Sequence, residues 1–229
     1  MPKFRDLSTY AATIAPVINA VHINVHASAG TGTGGLLMDL RYRLPLGPLT
    51  LDELAAVYRY GSAHDLNVEI RDHLRQGTLT EDGERLLRPT PAALAAIDGI
   101  YAAHAAATRR IWAAHDLVTL ADLAGRVLDT AERDPGGAFA AVTPPYEPDG
   151  TPAGVLLFNR LAALRYHRAD AHAAAWHAAG LTAAGIVDLC AGPLRDEIED
   201  DTNRRAAQPY HVLDDLELKV LFEGLLALA

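Results

Sequence analysis

Between residues 49 and 94 the chain carries helix start and stop signals in a fixed order, and that order restricts its fold more than any other feature. Thr50-Leu51-Asp52-Glu53 is a capping box: the Thr hydroxyl takes the N3 amide and Glu53 reaches back to the cap. The spacing predicts a short helix over residues 54–58, ending near Gly61-Ser62. A second helix is predicted over residues 63–75, with Leu66, Ile70 and Leu74 on one face and Gly77 as its stop. Residues 78–90 hold two short β-capable pieces around Glu81-Asp82-Gly83-Glu84, a hairpin turn signal. Thr90-Pro91-Ala92-Ala93-Leu94 then opens a long helix, with Pro at N1 where its missing amide costs nothing.

The flanks are also helical in pattern. Ala11, Ile14, Val17, Ile18, Val21 and Val25 recur at helical spacing over residues 8–28, with Pro16 expected to kink that helix or mark its true start. Ala29-Gly30-Thr31-Gly32-Thr33-Gly34-Gly35 breaks the periodicity. It lacks the Gly-Lys-Ser/Thr ending of a phosphate-binding loop, so it reads as a flexible connector. Residues 36–44 suit a further helix, stopped by Pro45-Leu46-Gly47-Pro48. Half the chain is hydrophobic, and alanine, the best helix former, is conspicuous throughout.

Beyond residue 112 the pattern partly repeats. Val118-Thr119-Leu120-Ala121-Asp122-Leu123-Ala124 parallels Leu49 to Ala55, with Thr119 as the expected N-cap, and Leu181-Thr182-Ala183-Ala184-Gly185 echoes Pro89 to Ala93. Between them lie the loop from Pro144 to Gly150 and a long helix over residues 152–179. An amphipathic helix is expected from Asp214 to Ala229, with Leu216, Val220, Leu221 and Leu225 on one side; it either closes the core or forms a dimer seam.

Short helix, turn, helix, hairpin, helix is the order of a winged helix-turn-helix. On Leu49 to Ala55, the hairpin Gly77 to Arg88 and Pro89 to Leu94, the chain resembles the MarR-type winged-helix regulators. The last third, from Leu164-Arg165-Tyr166-His167-Arg168 through Gly180-Leu181-Thr182, looks like a family of uncharacterised actinobacterial two-domain helix-turn-helix proteins. The expected fold is therefore mostly α. It has two related winged-helix units in tandem with small β wings: residues 1–112 with leading helices, and residues 113–229 as an altered copy.

The first resemblance implies a ligand-responsive DNA-binding regulator acting as a dimer. Double-stranded DNA would meet Ser62, His64, Asn67, Arg71 and Arg75 on the second helix of the motif, with Arg85 and Arg88 on the wing. A small organic ligand would sit in a cleft bounded by His22, His26, Trp112, Arg165, Tyr166, His172 and Trp176, aromatic and polar groups in an Ala/Leu wall. Charge argues against the DNA role: the chain carries −9, and Asp65, Glu69 and Asp72 outnumber the arginines of the motif helix. The alternative is a winged-helix protein that does not bind DNA and instead binds, sequesters or transforms a small organic molecule.

Other chemistries lack their residues. His22 and His26 share a helix face, but Ile23-Asn24 replaces the Glu of a zinc-protease motif, and no third ligand is visible. His167, His172 and His177 are spaced by five and diverge around a helix. Cys190 is the only cysteine, which excludes an internal disulfide, and is expected in a helical, apolar core position. Ser8, Ser28 and Ser62 lie in no nucleophile elbow. No catalytic residue, cofactor or metal is therefore expected. No apolar run approaches a bilayer span, and the charged start Met1 to Asp6 has no signal-peptide core after it, so a cytoplasmic location with no membrane partner is expected.

Overall fold

Helix α1 (Leu7–Ala29) begins on Asp6, whose carboxylate accepts from the Thr9 amide, and ends on Gly30 in the left-handed conformation that glycine tolerates. The computed structural model describes residues 6–30 and 35–229; the charged start (residues 1–5) and the middle of the Gly/Thr run (residues 31–34) lie outside the described residues. Pro16 does not mark the start of α1, which continues through it. That ring sits on the exposed face, where water can reach the carbonyl it strands.

The helix expected over residues 36–44 shrinks to α2 (Leu36–Asp39) and a 3-10 turn, Leu44–Leu46. The capping box then forms as read: Thr50 accepts from the Glu53 amide and Glu53 returns to the Thr50 amide, opening α3 (Leu51–Val57). Ser62 caps α4 (Ala63–Gln76), which stops on Gly77. Strands β1 (Leu79–Glu81) and β2 (Leu87–Pro89) pair antiparallel, Thr80 opposite Arg88. Leu49 adds one bridge to Leu87, with N–H···O bonds of 3.0 and 2.8 Å. Thr90 caps α5 (Pro91–Ile111).

The second half is entirely helical: α6 (Leu117–Thr130), α7 (Ala138–Val142), α8 (Ala153–Ala178), α9 (Ala183–Val187), α10 (Pro193–Ala206) and α11 (Asp215–Leu228). It has no strand, so the expected second wing is absent. The N-cap of α6 is Asp116 rather than Thr119, because the carboxylate reaches the Thr119 amide and hydroxyl at 3.1 and 2.7 Å. Cys190 lies exposed between α9 and α10 instead of in a helical core. On α11 the buried stripe is Leu218, Leu221, Phe222, Leu225 and Leu228, while Leu216 and Val220 face solvent. A capping box of Asp214 with Glu217 opens this helix.

The main core draws side chains from both halves, from Tyr10 and Ile14 on α1 to Leu157 and Leu161 on α8 and Leu225 on α11. Helices approach closely at two glycines. A Cβ on Gly154 would stand 2.7 Å from Thr108, and one on Gly224 would stand 2.5 Å from Leu120. Asp170 on α8 accepts from the Ala138 and Phe139 amides at 3.0 and 2.8 Å, capping α7, and pairs with Arg59 just beyond α3. A smaller cluster of Ala173, Ala175, Trp176, Ile186 and Ile198 closes the far end of α8. Among the described residues no helix is long and apolar enough to cross a membrane.

Candidate functional site

Three segments bring polar groups to one aromatic ring, that of Phe158 on α8, which is fully buried. From α1, His22 stacks on it at 5.0 Å between centroids and His26 meets it edge-on at 5.2 Å. From α5, His104 approaches edge-on at 4.7 Å. From the stretch after α2, the Arg41 guanidinium lies 4.4 Å from the ring centroid and 5.0 Å from that of Tyr42, a cation–π arrangement.

Arg41 is 1% exposed. Its Nε donates to Asn159 Oδ1 at 3.1 Å and its Nη1 to the Met38 carbonyl at 2.8 Å. Asn159 donates in turn to the Tyr101 hydroxyl, which donates to the Tyr146 carbonyl at 2.7 Å. The remaining nitrogen, Nη2, is buried without a hydrogen-bond partner. Asp39, two residues away, instead accepts from the Tyr58 hydroxyl at 3.1 Å, and no carboxylate forms an ion pair with Arg41 among the described residues.

The imidazoles cannot supply the missing charge. His22 and His26 share a bond of 3.1 Å between their Nε2 atoms, so one donates and the other accepts. Their Nδ1 atoms and both ring nitrogens of His104 are buried and unpartnered. Burial, reinforced by Arg165, His26 and Arg41, lowers the His22 pKa to about 2. Burial, with Arg41 and Arg165, lowers His26 to about 4; burial, with Arg41 and His26, lowers His104 to about 3. At neutral pH this closely packed cluster, the Phe158 chamber, therefore holds three uncharged rings and one guanidinium. An ion taken from water without an opposite charge costs several kcal/mol. The cation–π faces and two hydrogen bonds offset part of that. What stays open is a set of hydrogen-bonding atoms around a positive centre, chemistry that suits the head group of an anion.

The residues expected to line one cleft are divided between three places. His22 and His26 belong to the Phe158 chamber, and the Arg165 charge is felt there. Tyr166 is mostly buried, and its hydroxyl pKa is pushed up to about 12, chiefly by desolvation. Trp112 is core: its Nε1 donates to the Leu228 carbonyl at 3.2 Å. His172 and Trp176 stand with Tyr60 further along α8. Phe158 and Trp176 are eighteen residues apart on that helix, or about 27 Å at 1.5 Å per residue.

Sequence reasoning missed Arg41, His104, Asn159, Tyr101 and Phe158. One of them left a signal: His104 stands alone among alanines. A single polar residue within an apolar run has to be bonded or used.

The residues expected to meet DNA all lie on α4 and the hairpin. Ser62, His64, Asn67 and Arg71 are exposed, although Ser62 is occupied as the cap and Asn67 donates to the Ala63 carbonyl. Arg75 pairs with Asp72, Arg85 with Glu81 at 3.5 Å, and Arg88 with Asp82 at 3.0 Å. From residue 62 to 90, six carboxylates (Asp65, Glu69, Asp72, Glu81, Asp82, Glu84) face four arginines, a balance of −2.

Among the described residues no three His, Cys, Asp or Glu side chains form a set that would hold a metal ion. No family model, curated protein or solved structure matches this chain at a significant level.

Proposed function

We propose that this protein binds a small organic anion in the Phe158 chamber, with Arg41 as its counter-charge and His22, His26 and His104 as uncharged hydrogen-bonding walls. The observation that carries this is the buried, unpartnered Nη2 of a guanidinium with no carboxylate paired to it. The segment from Leu49 to Ile111 is read as a winged-helix unit that has lost a cationic face. Its place in the function is to frame the chamber: Asp39, two residues before Arg41, is bonded to Tyr58 at the end of α3.

The test is thermal unfolding against a panel of small carboxylates and sulfonates. A binder raises Tm by mass action, about 2.7 kcal/mol of stabilisation at a hundredfold excess over Kd. Arg41→Met should remain folded and lose that shift. A panel without any stabilising anion, or a shift unchanged in Arg41→Met, overturns the proposal.

A second reading, a ligand-responsive MarR-like regulator acting as a dimer, is favoured by one observation: Ser62, His64, Asn67 and Arg71 stand exposed along α4. It requires salt-sensitive retardation of a duplex from the protein's own upstream region, reduced in Arg71→Ala. Absence of retardation at low salt removes it.

A further inference from the structure

Along α8 from Phe158, beginning about 10 Å away at Arg165 and reaching about 21 Å at His172 by the helix rise, a hollow of about 280 Å³ opens between α8 and α10. Arg165, Arg168 and His172 line it from α8, at spacings of three and four that place them on one face. Glu199 and Thr202 line it from α10. Arg168 Nη1 and His172 Nε2 are both buried and have no hydrogen-bond partner.

The proton on His172 follows from its neighbours. The Trp176 indole is a donor only, and it donates to the Tyr60 oxygen at 3.2 Å. The Tyr60 proton goes to the nearest acceptor, His172 Nδ1 at 2.8 Å; the Ala169 carbonyl is more distant, at 3.4 Å. With the Tyr60 proton on this shorter contact, Nδ1 accepts and the ring hydrogen lies on Nε2, at the hollow; the opposite tautomer would pair the Tyr60 proton with the Ala169 carbonyl, and the ring ¹⁵N shifts distinguish the two. Thr202 spends its hydroxyl proton on the Ile198 carbonyl. The one carboxylate present, Glu199, lies 3.3 Å from Arg168 Nη2 and 3.8 Å from His172 Nε2, and is 43% exposed. It offsets one guanidinium. Arg165 has no carboxylate partner among the described ion pairs, so the hollow keeps a net positive charge.

We propose that this hollow is a phosphate site, in which Arg165, Arg168 and His172 donate to three oxygens of a phosphoryl group while Glu199 swings into water. Three donors from successive turns of one helix suit a tetrahedral oxyanion better than a planar carboxylate. Guanidinium groups bind phosphate with short charge-assisted bonds. Tyr60 is a positioning residue: it fixes the His172 tautomer and does not touch the anion. Its donors make none of the hydrogen bonds of Arg41, although the Arg165 charge also reaches His22 and His26.

The experiment is titration of the full chain with inorganic phosphate, followed by calorimetry and by the ¹⁵N shifts of the His172 ring, with acetate as the planar control. Phosphate should bind and move Nε2, and acetate should bind at least tenfold more weakly. Arg168→Ala should lower phosphate affinity tenfold or more, and Glu199→Gln should raise it several-fold. Tyr60→Phe should weaken binding and shift the His172 signals towards a tautomer mixture before any phosphate is added, a change that loss of packing alone would not produce. Arg41→Met should leave the titration unchanged. No phosphate binding, equal binding of acetate, binding indifferent to Arg168→Ala, or an affinity lowered by Glu199→Gln would each overturn the site. Loss of phosphate binding in Arg41→Met would move the phosphate to the Phe158 chamber and overturn it as well.

Discussion

Arg75, Arg85 and Arg88, on α4 and the hairpin, each lie beside a carboxylate three to six residues away and remain in water. Arg41 lies 1% exposed against a phenyl ring and three neutral imidazoles, with one nitrogen unbonded. The outer pairs cost little to make and contribute little, about 0–1 kcal/mol each, because water screens them. The inner charge is expensive, and although Asp39 acts on it at a distance, no carboxylate forms an ion pair with it among the described residues. The surface that fold resemblance assigns to DNA carries a net negative charge with three of its arginines paired, whereas the buried Arg41 has no ion pair among the described residues. An unbalanced interior charge is where a binding function is to be sought.

Four measurements sharpen or break that contrast. The largest effect is expected with pH. His22, His26 and His104 have folded-state values of about 2, 4 and 3, all below the ordinary histidine value of about 6.5. Above about pH 6.5 both folded and unfolded chains hold these rings neutral, so stability is full there. Below it the unfolded chain takes up protons that the folded chain refuses, and stability falls as pH drops towards the folded-state values. Urea unfolding between pH 7.5 and 5 should show uptake of about three protons from this trio near pH 5, and His104→Leu should remove about one. A slope unchanged in His104→Leu would mean that the chamber is wet.

Next in size is Asp170→Ala. It strips Arg59 of its partner and leaves two α7 amides uncapped, for a loss of about 3–5 kcal/mol in chemical denaturation. A loss below about 1 kcal/mol would place that pair with the solvated ones.

Third, Arg41→Met exchanges an unpaired buried charge for an apolar chain of similar length. Stability should hold or rise by about 1–4 kcal/mol, read as a higher urea midpoint. A marked loss would reveal a counter-charge that the described contacts do not include.

The smallest effect belongs to the surface. Arg75→Gln and Arg85→Gln should each change stability by less than about 0.5 kcal/mol. A change of 2 kcal/mol in either would erase the distinction between the two regions.

Local signals were the legible part of this fold. Thr50 and Thr90 each cap the helix that their sequence announces, because a cap is decided within four residues. The errors came where two local signals competed or where tertiary contact decided. Asp116 outcompetes Thr119 for the start of α6, since an ionised acceptor is the stronger cap partner and stands one turn earlier. Leu216 and Val220 look like core, but the rotation of α11 gives that place to Leu218 and Phe222. The candidate site was least legible. Arg41 meets Asn159 across 118 positions, and His104 reaches Phe158 from another helix, so no window along the sequence contains the chamber. Of its members only His22 and His26, four apart on one helix, could be paired by spacing.

The short α2 segment is held at two points by the neighbouring unit. The Leu36 amide donates to Glu69 on α4, and Asp39 accepts from Tyr58 at the end of α3. Arg41 follows Asp39 by two residues, so a displacement of the guanidinium loads both struts. Linkage makes this traffic reciprocal: whatever pins α4 in one posture must alter the affinity of an occupant at Arg41 by the same factor that the occupant alters the pinning.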